Sequence, residues 1–366
     1  MNIPQFPTSE LLNTQAFGNI FNHTTNAYKF LWMDAILKLL QTTHYGKECF
    51  QVKDITKDML VSAYYPLVHF RLSFGKQDQI KNYYDNLTGC LLHDNIGKVE
   101  RLIVRQGIPA QISSQLSKYV LFRVLTPFYA EELRGLLDVQ KNPQIKKLAN
   151  AQYDKNFPPF YRISDNDDKI YVHEMWRGYI KDNEKIIRGW LTYYWIKFLQ
   201  TRNPNIPAIA NKIEKPQERG SMASQREFWA DIIRQQKIHC LYSKRRISTE
   251  NFALDHYIPW NFIGHNQLWN LVPTIKEVNS SKSDNLPSAI YYEGFVKIQH
   301  ISVNHLNETP PQKWRHLRES YEVSLHVPLQ KLIMQDQLRK SLEETILPML
   351  KLAQNAGFIN WKYPSG

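Results

Sequence analysis

The stretch "LDHYIPWNFIGHNQLWNLVPTIKEVNSSKSDNLP", residues 254–287, decides how this chain is read. It carries an Asp-His pair at Asp255 and His256, an Asn fourteen positions on at Asn270, and another nine beyond it at Asn279. An Asp carboxylate and an Asn amide oxygen are hard ligands that suit Mg²⁺ or Mn²⁺, with water and a substrate phosphate filling the other positions. A neutral His can take a proton from water at about pH 7. One divalent ion and one general base are sufficient equipment for phosphodiester hydrolysis, the base activating water and the ion neutralising charge on the phosphorane.

Local pattern supports that reading. Cys240 to Ile247 and Asn251 to Ile258 read as two short strands with a turn between them. Asp255 and His256 fall near the end of the second. Consecutive strand residues point to opposite faces, so both reach one site only if the chain bends, and Pro259 and the loop to Gly264 supply a bend. Thr274 followed by Glu277 has capping-box spacing and starts a helix at about Ile275. Asn279 then lies in its early turns, facing back to the strand, and Pro287 limits the helix.

In this order the residues resemble the HNH (ββα-metal) endonuclease family. The pair Asp255-His256 resembles that family's Asp-His, Asn270 in "LWNLVPT" its central Asn, and Asn279 in "VNSSKSDNLP" its last His or Asn. The end of the stretch is most similar to the HNH domain of RNA-guided CRISPR nucleases, where an Asn-x-x-Lys-Ser-Asp-Asn run occurs. The resemblance implies His256 as general base, Asp255 and Asn279 as ligands of Mg²⁺ or Mn²⁺, Asn270 as a brace for the loop that carries His256, and Lys282 near the phosphate. Lys244, Arg245 and Arg246 in the "SKRR" turn either clamp a phosphate backbone or form a solvated hairpin tip. Many HNH proteins add two Cys-x-x-Cys pairs that bind zinc; "CLYS" offers Cys240 but Ser243, and no partner pair follows, so no structural zinc is expected.

The implied activity is metal-dependent hydrolysis of nucleic acid, DNA favoured, by an effector of a bacterial anti-phage or restriction-type system. A regulatory or ATPase partner protein would gate such an enzyme. The alternatives are a non-cutting nucleic-acid-binding subunit of a larger complex and an RNA-directed or homing-type nuclease. No helix-turn-helix or zinc finger is recognisable.

Outside the stretch the sequence speaks less clearly. The 366 residues carry 46 Lys and Arg against 34 Asp and Glu, a net charge of +12, which suits either a nucleic-acid binder or an ordinary protein of high pI. Residues 221–300 and 301–366 contribute +2 each (nine basic against seven acidic, and eight against six), leaving +8 for the first 220. Three cysteines, Cys49, Cys90 and Cys240, form no disulfide framework and fit a reducing compartment. With no apolar run of spanning length and no basic, then apolar, N-terminus, a cytoplasmic chain without membrane contact is expected.

Length exceeds what one core usually serves. The expected fold class is α+β, mostly α, in five parts: a loosely held arm over 1–23, a mainly helical accessory or recognition domain over 24–205, a linker over 206–222, the HNH nuclease domain over 223–300, and a helical extension over 301–366. Helical spacing appears at Thr25–Leu40, Asp54–Tyr64, Ile80–Leu92, Ser114–Val124, Glu184–Gln200, Ser224–Gln236 and, interrupted by Pro328, Gln312–Gln354. "SDNDDKIYV" lacks the Gly and Glu of a calcium loop and reads as a turn before a strand. The stripe Ile187, Leu191, Tyr194, Trp195 and Phe198 reads as core rather than as a base-stacking platform.

Overall fold

A computed structural model describes residues 6–87, 101, 103, 108–215 and 220–364. The fold is α+β and dominated by helices, as the pattern predicts. The chain divides into two compact units, one of residues 1–204 and 212–215, the other of residues 205–211 and 216–366.

The first unit packs helices on a small antiparallel sheet. Strands β1 (Cys49–Gln51), β2 (Tyr161–Ile163) and β3 (Lys169–Val172) lie in the order β1-β3-β2, and β3 follows the Asp-rich turn as expected. Helices Tyr28–Thr42 and Val52–Tyr64 pack against each other, and Trp32, Met33, Ile36, Met59 and Leu60 on them are fully buried. The helix Glu184–Arg202 buries Ile187, Leu191, Trp195 and Phe198 in the same unit. Its aromatic stripe is core, with Trp195 and Phe198 stacked at 5.7 Å.

Two expectations for this unit change, and a third is met as far as the described residues reach. The segment Ser114–Val124 is two helices, Ala110–Ser117 and Val120–Arg123, broken at Lys118 and Tyr119. The helix Ile80–Leu87 is observed, while the expected continuation to Leu92 lies outside the described residues. Residues 6–23 are packed rather than loose: Phe17, Ile20 and Phe21 are buried, Phe17 stacks on Trp176 at 4.9 Å and Phe21 on Trp190 at 4.3 Å. Aromatic rings bury enough apolar surface to hold an otherwise polar segment down.

In the second unit two strands, β4 (Phe252–His256) and β5 (Leu271–Ile275), form an antiparallel ribbon, and the helix Lys276–Lys282 follows at once. The sequence pattern placed the first strand of this element at Cys240–Ile247, and that placement is corrected. The segment holds one bridge, His239 to Arg246, around a turn at Leu241–Ser243; Lys244 has φ +61° and its N–H returns to the Cys240 carbonyl at 3.0 Å. Thr274 is likewise no helix cap. It sits in β5 with its hydroxyl 3.1 Å from Cys240 Sγ, and the helix is capped by Ile275 without a side-chain bond.

The ribbon and its helix are too small to enclose a core, and the rest of the unit supplies one. Trp229 and Phe228 of the helix Ala223–Gln235, Phe295 of the helix Tyr292–Glu308, and Tyr321, Leu338 and Leu342 of the last helices join one continuous cluster with Tyr257, Trp269 and Leu271. The helix Tyr292–Glu308 runs across the division expected at residue 300, so residues 301–366 complete the core around the ribbon. The chain closes with β7 (Asn360–Trp361), parallel to β6 (Leu286–Pro287) directly after the site helix.

Candidate active site

β4 carries Asp255 and His256 as its last two residues, opposite Val272 and Leu271 of β5. The chain then leaves the ribbon, and Asn270 grips the departure from the other side. Its Oδ1 accepts from the Ile258 N–H at 2.8 Å, its Nδ2 donates to the Ile258 carbonyl at 2.9 Å, and its own carbonyl accepts from Tyr257 N at 2.8 Å. Asn270 is fully buried, so these bonds form away from competing water. The loop turns at Pro259 and at Gly264, where φ is +76° and an added Cβ would lie 2.8 Å from Ala208 Cβ; only glycine fits.

On the far side of the ribbon the helix Lys276–Lys282 stops at Ser283, a non-glycine residue held at φ +48°, as its N–H bonds back to the Asn279 carbonyl at 2.9 Å. Sparsely populated backbone of this kind needs support from its surroundings. Ribbon end and helix enclose a pocket of about 310 Å³ whose lining includes Asp255, His256, Asn279, Asp284, Met222 and Trp260. Asp255, His256 and Asn279, picked out in sequence by chemistry, therefore share one wall-to-wall space. Asn270 and Lys282 stand behind it, and Lys244, Arg245 and Arg246 are absent from its lining.

The electrostatics of the pocket centre on Asp255. Its Oδ1 accepts from Lys282 Nζ at 3.0 Å, and its Oδ2 from the Tyr242 hydroxyl at 2.5 Å. Lys282 also donates to the His256 carbonyl at 2.8 Å. Burial raises the Asp255 pKa, while the Lys282 charge and the Tyr242 hydroxyl act in the opposite sense. Burial, and then the neighbouring Asp255 carboxylate, hold the Tyr242 phenol well above its ordinary value, so Tyr242 stays a hydrogen-bond donor. The Lys282 ammonium thus points inward, at the carboxylate, rather than out toward an incoming phosphate.

Other polar residues of the site were not signalled by any spacing rule. Asn266 Oδ1 lies 2.9 Å from His256 Nε2. Asp284, in the "KSDN" run, lines the pocket and accepts from Asn261 Nδ2 at 2.6 Å. Tyr242 carried no sequence signal at all. The basic turn is exposed: Lys244 Nζ bonds its own turn at the Leu241 carbonyl, and Arg245 lies 3.7 Å from Glu277 in an open ion pair.

Among the described residues no three His, Cys, Asp or Glu side chains gather as a metal-ligand cluster. The residues that line the pocket include three with hard oxygen donors, Asp255, Asn279 and Asp284. Each carboxylate oxygen has two acceptor directions, so the bonds to Lys282 and Tyr242 leave Asp255 able to bind further. Such a set suits Mg²⁺ or Mn²⁺, which keep several waters and take one or two protein oxygens plus substrate phosphate. Cys240 is fully buried beside Thr274, as a small core side chain.

Comparison with known proteins agrees with this geometry. No curated protein and no solved structure matches the chain. The family model described as HNH endonuclease matches residues 240–288, which span the basic turn, both strands, the site helix and β6. Residues 240–288 are thus an HNH domain, of a nuclease family, built into the core of the second unit.

Proposed function

We propose that the chain is a divalent-metal-dependent endonuclease that hydrolyses nucleic-acid phosphodiester bonds, with DNA as the favoured substrate. The observation that carries this reading is the meeting of Asp255, His256 and Asn279 on one pocket within the HNH domain. His256 takes a proton from the attacking water. Asp255 and Asn279 would hold Mg²⁺ or Mn²⁺, which when bound would supply charge neutralisation at the phosphorane and the leaving oxygen. Asn270 fixes the backbone that follows His256, and Lys282 with Tyr242 holds the Asp255 carboxylate in place. Lys244, Arg245 and Arg246, exposed on the neighbouring turn, contact the phosphate backbone.

The resemblance supports an anti-phage or restriction-type role, in which a regulatory or ATPase partner holds cleavage in check until it is needed. The first test is a substrate panel: supercoiled plasmid, linear duplex, single-stranded DNA and RNA, each with Mg²⁺, Mn²⁺ or excess chelator. Metal-dependent cleavage of DNA that chelator abolishes is the expected outcome. Binding of nucleic acid without cleavage under every metal would overturn the reading in favour of a non-cutting subunit.

A further inference from the structure

Residues 358–363 form a strap that runs past both elements on either side of the site. Gly357, at φ +88°, turns the chain out of the helix Gln335–Asn355. Phe358 is buried and meets Phe262 edge-on at 5.8 Å, in the short helix Trp260–Ile263 that follows β4. β7 then pairs with β6, which follows the site helix: the Leu286 N–H donates to the Ile359 carbonyl at 2.9 Å, and the Ser288 N–H to the Trp361 carbonyl at 2.8 Å. The Tyr363 N–H donates to the Tyr291 hydroxyl at 2.9 Å.

The strap also reaches Asp255, through Tyr242. The Trp361 ring meets the Tyr242 ring edge-to-face at 5.2 Å and 83°, and Tyr291 meets it in the same way at 5.0 Å and 86°. A phenol oxygen lies on the axis of its ring, so neighbours that fix the ring fix where the hydroxyl stands. Tyr242 is buried, and its hydroxyl donates to Asp255 Oδ2 at 2.5 Å. Lys282 holds the other oxygen. One of the two grips on this carboxylate therefore depends on a tryptophan outside the matched span 240–288.

We propose that Trp361 is a positioning residue of the metal site: with Tyr291 it holds the Tyr242 ring, and through the Tyr242 hydroxyl it sets the Asp255 carboxylate for a divalent ion. This rests on Asp255 being a metal ligand. Hydrogen-bond partners of a ligating carboxylate keep it in the orientation the ion needs, and losing one weakens metal binding by about 10- to 100-fold. The HNH motif alone is then an incomplete site, and the strap completes it.

The test is calorimetric titration of the full chain with Mn²⁺, without nucleic acid. Tyr242→Phe, which keeps the ring and removes the hydroxyl, raises Kd about 10-fold, and Trp361→Ala does the same. Trp361→Phe, which keeps an aromatic edge, stays close to wild type. Combining Tyr242→Phe with Trp361→Ala costs no more than Tyr242→Phe alone, because the route through the hydroxyl is already lost; a general structural role for Trp361 would multiply the two losses. Should Trp361→Ala fail to fold, Trp361→Leu, which fills space without an aromatic edge, takes its place. An unchanged Kd in the folded variant, or losses that multiply in the double variant, overturns the proposal. Wild type that binds Mn²⁺ with this dependence yet nicks no plasmid sinks the nuclease reading and leaves the positioning role standing. Wild type that nicks, beside a Trp361→Ala protein that binds Mn²⁺ normally, does the reverse.

Discussion

Lys282 Nζ lies 3.0 Å from Asp255 Oδ1, and both side chains are buried, with exposures of 0% and 3%. Two charges taken out of water offset their desolvation by their attraction for each other, and removing one partner strands the other. Lys282→Met therefore destabilises the second unit by about 3–5 kcal/mol. Adding Asp255→Asn recovers a large part of that loss. Urea midpoints of the single and double variants check this, and a Lys282→Met protein as stable as wild type would show that the pair does not hold the site together.

Asn270 bonds both backbone groups of one residue, Ile258, from a fully buried position. Asn270→Ala leaves an N–H and a carbonyl without their partner in a site closed to water. The expected loss is about 2–4 kcal/mol for the two groups together. Cleavage should fall in the folded fraction too, since Ile258 is only two residues from His256. Thermal unfolding beside specific activity separates the two effects.

Gly264→Ala tests the turn between the strands. At φ +76°, with 2.8 Å to Ala208 Cβ, a methyl group meets both backbone strain and a clash. A cost of about 1–3 kcal/mol is expected, read as a lowered melting temperature. Gly357→Ala, also at positive φ but with nothing within 4 Å, should suffer from strain alone.

In the first unit Asp78 is buried, accepts from the Ile80 N–H at 2.8 Å, and burial lifts its pKa from 3.8 to about 6. A carboxyl raised in the folded state binds its proton more tightly there than when unfolded. Its contribution is thus fully present below pH 3.8 and declines as pH rises through about 6. Relative to Asp78→Asn, wild type should lose stability across that window, by no more than about 3 kcal/mol. Urea unfolding at several pH values measures the difference, and parallel curves for the two proteins would contradict it.

How much of this could be read from sequence follows from the physics of each element. Asp255, His256 and Asn279 were legible as candidate neighbours because their chemistry is specific. The amphipathic helix Glu184–Arg202 was legible from its apolar stripe. β5 was not, because Leu271–Ile275 is buried along its whole length, shows no alternation, and contains Pro273. Its Thr274 mimicked a helix cap for the same reason. The packed segment at 6–23 was hidden because Phe17 and Phe21 find their rings about 160 residues away, at Trp176 and Trp190. Asn266 and Tyr242 act through contacts that no spacing encodes, and only the folded loop brings them to His256 and Asp255.

The measurement closest to the central claim is metal-dependent nicking of supercoiled plasmid by wild type and by His256→Ala, purified side by side. The account predicts that wild type nicks with Mg²⁺ or Mn²⁺ and that His256→Ala, folded to the same extent, loses the activity by at least about 100-fold, the scale of a general base. Equal nicking by both proteins would contradict it, and would place the chemistry somewhere other than the pocket at the end of β4.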